Sequence, residues 1–224
     1  VVDTTVVNII LPYLKGSFGA TSDQITWTIS SYMVATAIIM PLTGFLVRRF
    51  GESEVLLVGS VGFILSSVLC GFTNNLELMV FFRLLQGGFG AVLIPISQAL
   101  LLDKFSREAR SQLMAFWGIA LMVGPLIGPI LGGLITDALS WRWVFFINLP
   151  IGIFALVLIF RDLEFSNKPK PFKTDWFGMV LLAIFLGCLQ MALDQGHSKD
   201  WFESGAIIIL FLFLRFKVAI WVAL

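Results

Sequence analysis

Five stretches of this sequence, at about 25–46, 55–72, 112–136, 143–160 and 176–193, contain no charged residue. Each is close to the ~20 apolar residues that a helix needs to cross ~30 Å of hydrocarbon. The run 78–101 matches them apart from one arginine, Arg83; 204–224 is interrupted by Arg215 and Lys217, and 1–14 forms a shorter opening run. Folding these runs in water would require a polar surface that the chain cannot supply. Only 13% of its 224 residues are charged, about half the roughly 25% of a soluble domain. The sequence therefore predicts an all-α polytopic membrane protein with eight spans, and the lipid bilayer is its solvent. It opens without methionine, two residues before an aspartate, and closes inside an apolar run. It reads as a fragment, cut within its first and last helices.

Charge placement orients the spans. The second, fourth and sixth connections hold nine basic residues: Arg48, Arg49, Lys104, Arg107, Arg110, Arg161, Lys168, Lys170 and Lys173. The odd-numbered connections hold three, Lys15, Arg142 and Lys199. Basic loops stay cytoplasmic, so the first helix runs outward. A net charge of +1 gives no indication of a nucleic-acid partner. No nucleotide-binding loop, paired cysteine set or nucleophile elbow occurs, and nothing marks the chain as an enzyme or as a consumer of ATP. Cys70 and Cys188 lie in separate apolar runs and read as free, packed thiols, and His197, the one histidine, as a solvated loop residue without a second metal ligand beside it.

Most connections are short, which makes successive helices antiparallel neighbours. The exception is "RDLEFSNKPKPFKTD" at 161–175, charged and carrying Pro169 and Pro171. It divides the chain into a six-helix bundle at 1–161, a cytoplasmic linker at 162–175 and two further helices at 176–224.

The fifth span contains "GPLIGPILGG" at 124–133. In a soluble helix each interior proline costs about 3 kcal/mol and each glycine about 1 relative to alanine. In lipid, small residues instead allow helices to approach closely, and neighbouring groups re-satisfy the carbonyls that proline frees. Gly124, Gly128 and Gly132 recur every four residues as one ridge, with Gly133 beside it and Pro125 and Pro129 on an adjacent line. Simple packing and a conformational hinge are both open readings of this pattern.

Thirteen of the fourteen acidic residues fall in connections or at helix ends. Asp3 is the exception, about ten residues below an outer helix end near Tyr13, hence roughly 15 Å deep. A carboxylate there costs about 2.5–3.5 kcal/mol on insertion scales and is a functional candidate by default. Removal from water favours the neutral form of an acid, a property that a proton carrier needs. The alternative is a structural carboxylate capped by Thr4 or a neighbour. Arg83, the sole cation in the first seven spans, sits about five residues into the fourth run. It either snorkels to the outer interface or faces the bundle.

Several of these stretches, in order, resemble one family. "GIALMVGPLIGPILGGLI" at 118–135 is similar to the antiporter signature in the fifth helix of major facilitator superfamily drug exporters. "VVDTTVVNIILP" at 1–12, "FFRLLQGGFGA" at 81–91, "WRWVFFINLPIG" at 141–152 and "LDQGHSKDWF" at 193–202 resemble its fourteen-helix drug:proton antiporters, the EmrB/QacA type and the EmrB branch in particular. The resemblance implies the major facilitator fold, here the N-terminal six-helix half plus two inserted helices. It also implies proton-coupled efflux of amphiphilic, cationic or fatty-acid-like toxic compounds by alternating access, with no cofactor and the proton gradient as energy source. The setting would be the bacterial inner membrane, with a periplasmic membrane-fusion adaptor and an outer-membrane channel as partners in a Gram-negative host. It turns Arg83 toward Asp3, with Thr4, Asn8 and Gln86 completing a polar network, while Gln98, Gln112 and Asn148 read as helix-end or packing groups. The loop "GFLVRRFGE" at 44–52 keeps Gly44, Arg49 and Gly51 of the superfamily pattern G-x-L-x-D-R-x-G-R, but Arg48 replaces its aspartate and Glu52 its last arginine. The cations of the last run also depart from the family. A porter of a non-drug solute, or a channel or non-transporting membrane scaffold, remain the alternatives.

Overall fold

A computed structural model describes residues 2–162 and 176–196. The linker 163–175, His197, Lys199 and the eighth run with Arg215 and Lys217 lie outside the described residues. The described helices are α1 (Val2–Phe18), α2 (Ser22–Phe50), α3 (Glu52–Phe72), α4 (Leu76–Gly90), α5 (Leu93–Lys104), α6 (Arg107–Ala138), α7 (Trp143–Phe146), α8 (Asn148–Asp162) and α9 (Trp176–Gly196). Six segments among them are long and apolar enough to cross a membrane: Ser22–Phe50, Glu52–Phe72, Leu76–Asp103, Glu108–Ala138, Trp143–Arg161 and Trp176–Asp194. α1 has 17 residues, about 26 Å at 1.5 Å per residue. Seven of the eight expected spans are thus helical, with two refinements. The fourth is broken at Ala91–Val92 into α4 and α5, and the sixth is broken at Ile147 into α7 and α8.

Short connections make consecutive spans antiparallel, so spans two apart run parallel. A single residue, Gly51, separates α2 from α3. Its φ of +102° lies where side chains are rarely tolerated, and its N–H donates to the Val47 carbonyl at 2.9 Å. α2 starts on a capping box, in which Gln24 N–H donates to Thr21 Oγ1 (3.3 Å) and Thr21 N–H donates to Gln24 Oε1 (3.0 Å).

Packing follows side-chain size. α1 buries Asp3, Val6, Val7, Ile10 and Leu14, a helical stripe three to four residues apart. α3 lines its inner face with Gly59, Ser60, Ser66, Ser67, Cys70 and Gly71, the small residues that let membrane helices meet closely. α4 lies between α2 and α3. A Cβ at Gly87 would overlap the backbone of Tyr32, whose Cα would be 2.9 Å away. That close approach seats the last turn of α4 against one turn of α2. α6 packs chiefly on α1, α8 on α3, and α9 on α2. At the end opposite the basic loops, Arg142 donates through Nη1 to the carbonyls of Gly71 and Thr73 (both 2.8 Å) and through Nη2 to Asn74 Oδ1 (2.6 Å). It thereby satisfies carbonyls that the end of α3 leaves open. Trp141 Nε1 donates to Ser17 Oγ at 2.9 Å. The "WRW" stretch is a fastener between connections.

Candidate functional site

Asp3 and Arg83 meet. Arg83 Nη1 lies 2.5 Å from Asp3 Oδ2, and both side chains are almost wholly buried. The snorkelling alternative for Arg83 is excluded, because the residue is 0% exposed and its guanidinium is turned inward onto Asp3. Three elements of the fold bring it there. The Gly87 contact presses α4 onto α2, so Arg83, one turn earlier, reaches the turn of α2 that carries Thr28 and Tyr32. Its Nε donates to the Thr28 carbonyl (3.2 Å), and its Cζ stands 4.4 Å from the Tyr32 ring centroid and 6.0 Å from that of Phe145. Gln86, three residues on along the same helix face, accepts from Nη1 through Oε1 at 2.7 Å.

The acid is held as completely as the base. Gln86 Nε2 donates to Asp3 Oδ1 at 3.2 Å, and Asn148 Nδ2 donates to the same oxygen at 3.1 Å. Asn148 Nδ2 also donates to Ser67 Oγ (2.9 Å), and that hydroxyl donates to the Phe145 carbonyl (2.9 Å). Cys70 Sγ lies 3.9 Å from Gln86 Oε1. An ion pair this deep persists only with good geometry and with its remaining polar atoms hydrogen-bonded. The donors from α4 and α8 and the acceptors from α2 meet that condition.

Of the sequence candidates, Gln86 joins the pair. Thr4 sits half-buried beside it in the chain and makes an interaction of its own. Asn8 does not join, correcting the expectation: it is exposed, on the side of α1 away from the buried stripe. Asn148, expected to be a helix-end or packing group, instead completes the shell of Asp3. Its side chain is aimed inward because the break at Ile147 starts α8 beside α3. The one hint in the sequence was an amide within an apolar stretch already singled out, "FFINLP". Tyr32 and Ser67 gave no signal beyond being polar groups inside spans. Gln98 approaches Met114 Sδ at 3.9 Å, and Gln112 is exposed.

In α6, Gly124, Gly128 and Gly132 are all buried, and buried Thr136 extends their ridge by one more turn. A Cβ on Gly132 would come 2.8 Å from Val6 Cγ1 of α1. Gly133 lies off the ridge, with nothing within 4 Å of a Cβ. Pro125 is exposed, Pro129 half-buried, and the helix continues through both. In the loop motif, Gly44 has open space beside it. Arg48 is exposed, and Arg49 stacks near Phe50 and Trp176, with centroids at 5.8 and 5.9 Å. Cys70 and Cys188 are free thiols. A separate apolar groove of about 730 Å³ runs between α2, α3 and the α4–α5 span, lined by Ile38, Leu46, Val55, Leu84 and Val92.

The pair thus joins the first and fourth spans of an antiparallel membrane bundle. Residues 1–224 match the Major Facilitator Superfamily over their whole length, and the chain belongs to that family as a multi-pass membrane protein. It is 44% identical to the multidrug export protein EmrB of Haemophilus influenzae, over 94% of this chain and 41% of that protein. It is 43% identical to the fatty acid resistance protein FarB of Neisseria gonorrhoeae, over 94% and 42% respectively. With multidrug resistance protein 3 of Bacillus subtilis the identity is 35%, over 96% and 42%. The chain spans about two-fifths of the length of these relatives. The crystal structure of the human organic anion transporter MFSD10 (TETRAN) shares the fold, with a TM-score of 0.55 at 18% identity, covering 97% of this chain and 67% of that one.

Proposed function

We propose that the full-length parent of this chain exports amphiphilic toxic compounds across a bacterial inner membrane in exchange for protons, by alternating access. The observation that carries this is the buried Asp3–Arg83 pair. When Asp3 takes a proton, Arg83 keeps the Thr28 carbonyl, the Gln86 amide oxygen and the Tyr32 ring as partners. The acid can therefore be neutralised without stranding its cation, which would otherwise be costly. Loading the acid weakens a contact between α1 and α4, so a proton arriving from outside alters how those two helices are held together. No cofactor enters this cycle; the proton gradient drives it.

The relatives' names support the substrate class: two are multidrug proteins and one a fatty acid resistance protein. The nine-to-three distribution of basic residues supports an orientation with 47–54, 102–111 and 161–175 cytoplasmic. The domain plan follows: 1–161 as the N-terminal half, 162–175 as a cytoplasmic linker and 176–224 as inserted helices. In a Gram-negative host, a periplasmic adaptor and an outer-membrane channel would carry the compounds onward. In everted vesicles, Asp3→Asn in the full-length protein should abolish gradient-driven efflux of a cationic dye and of a long-chain fatty acid, while membrane insertion stays normal. Wild-type efflux by the asparagine variant would remove Asp3 from the mechanism.

A further inference from the structure

α9 lies outside the six-helix half, yet it is fitted to α2 along its length. Trp176 meets Phe45 edge to face, with centroids 5.9 Å apart. Gly187 faces Ile38, whose Cδ1 would be 3.1 Å from a Cβ there. Ser30 donates its hydroxyl to Asp194 Oδ2. The order 45, 38, 30 against 176, 187, 194 is that of an antiparallel pair. Ser30 is 5% exposed and eight residues beyond the start of α2, about 12 Å along the helix. Asp194 itself is exposed, two residues before the end of α9, and from there it accepts this buried hydroxyl. Among the described residues no cation pairs with it.

Ser30 belongs to the turn of α2 that holds Arg83. Two residues before it, the Thr28 carbonyl accepts from Arg83 Nε, and two residues after it the Tyr32 ring carries the guanidinium. One turn is therefore gripped from one side by the proton site and from the other by the inserted helix. We propose that Asp194 is a positioning residue for the Asp3–Arg83 pair: by holding Ser30 it fixes the turn that seats Arg83, and it makes the inserted helix part of the coupling machinery. This rests on Asp3 being the proton site. The groups facing the pair are Arg83 and Gln86 of α4, Tyr32 of α2, Asn148 of α8 and, behind Gln86, Cys70 of α3. Asp194 faces Ser30 of α2.

Two measurements on the full-length protein test it. The first is the pH profile of dye and fatty acid efflux. The second, independent of transport, is alkylation of Cys70 by a membrane-permeant maleimide in a background where Cys188 and any cysteine outside this chain are replaced by serine. Asp194→Ala and Ser30→Ala should each displace the pH profile and raise Cys70 labelling several-fold at unchanged abundance and melting temperature, while Ser30→Thr, which keeps the hydroxyl, should match wild type in both. If both variants keep the wild-type profile and labelling, Asp194 does not position the pair. If they lower melting temperature but leave the profile unmoved, α9 is only a structural support and the proposal is overturned. If Asp3→Asn transports normally while Cys70 labelling still responds to Asp194→Ala, the proton-site reading fails and the mechanical link from α9 to the pair stands.

Discussion

The α2–α4 contact and the α1–α6 contact are both made by glycine, yet they hold different things. At α2–α4, Gly87 admits the Tyr32 backbone so that a buried arginine can reach a carbonyl, an aromatic face and, across the bundle, an acid. At α1–α6, Gly132 admits Val6, and Tyr13, whose hydroxyl donates to Asp137 Oδ1 at 2.8 Å, adds a polar tie near the helix ends. The first contact is directional, and a shift of an ångström would break charge-assisted hydrogen bonds. The second is a smooth apolar surface held by dispersion, which tolerates small displacements. Under the proposed alternating-access cycle, the first is suited to switching between discrete states and the second to sliding.

The largest effect should come from breaking the directional contact on one side only. Arg83→Ala leaves the Asp3 carboxylate buried without its cation, a loss of about 3–5 kcal/mol, and should abolish efflux. The double variant Asp3→Asn with Arg83→Met removes both charges and fills the space. Its melting temperature in detergent should recover toward wild type while efflux remains absent. If the double variant is as unstable as Arg83→Ala, charge is not what makes the single variant unstable.

An intermediate effect should come from the smooth contact. Gly132→Leu drives a side chain into Val6 and should destabilise by about 1–3 kcal/mol, the usual scale of overpacking, with slowed efflux. Gly128→Leu should behave alike, being on the same buried ridge. Ile127→Leu, at a side chain 41% exposed, is the control and should be nearly silent in both thermal melts and transport. Normal transport by Gly128→Leu would show that close packing is not why the ridge is glycine.

The smallest effect should come from the prolines. Alanine at Pro125 or Pro129 restores a backbone hydrogen bond and should leave stability equal or slightly higher. If α6 pivots there, efflux slows or vesicles leak protons; wild-type rate and leak would reduce the prolines to tolerated residues in a packing helix.

Seven spans, their alternation and the candidacy of Asp3 and Arg83 follow from the sequence, because a bilayer penalises every charge and every unpaired backbone group in proportion to depth. That penalty is written residue by residue, and so is the glycine ridge, whose four-residue spacing requires a single face on any helix. Whether Arg83 turned inward was not decidable that way, since a long side chain near a span end can reach either water or the bundle. Tertiary structure decided it, through the approach of Gly87 to Tyr32. It also decided that Asn8 points away, that Asn148 supplies the missing donor from 145 residues along the chain, and that Asp194 reaches down to Ser30. Those contacts join residues from different helices. They depend on how far each helix slides and rotates against its neighbours, which is set by packing at distant surfaces and not by any local pattern.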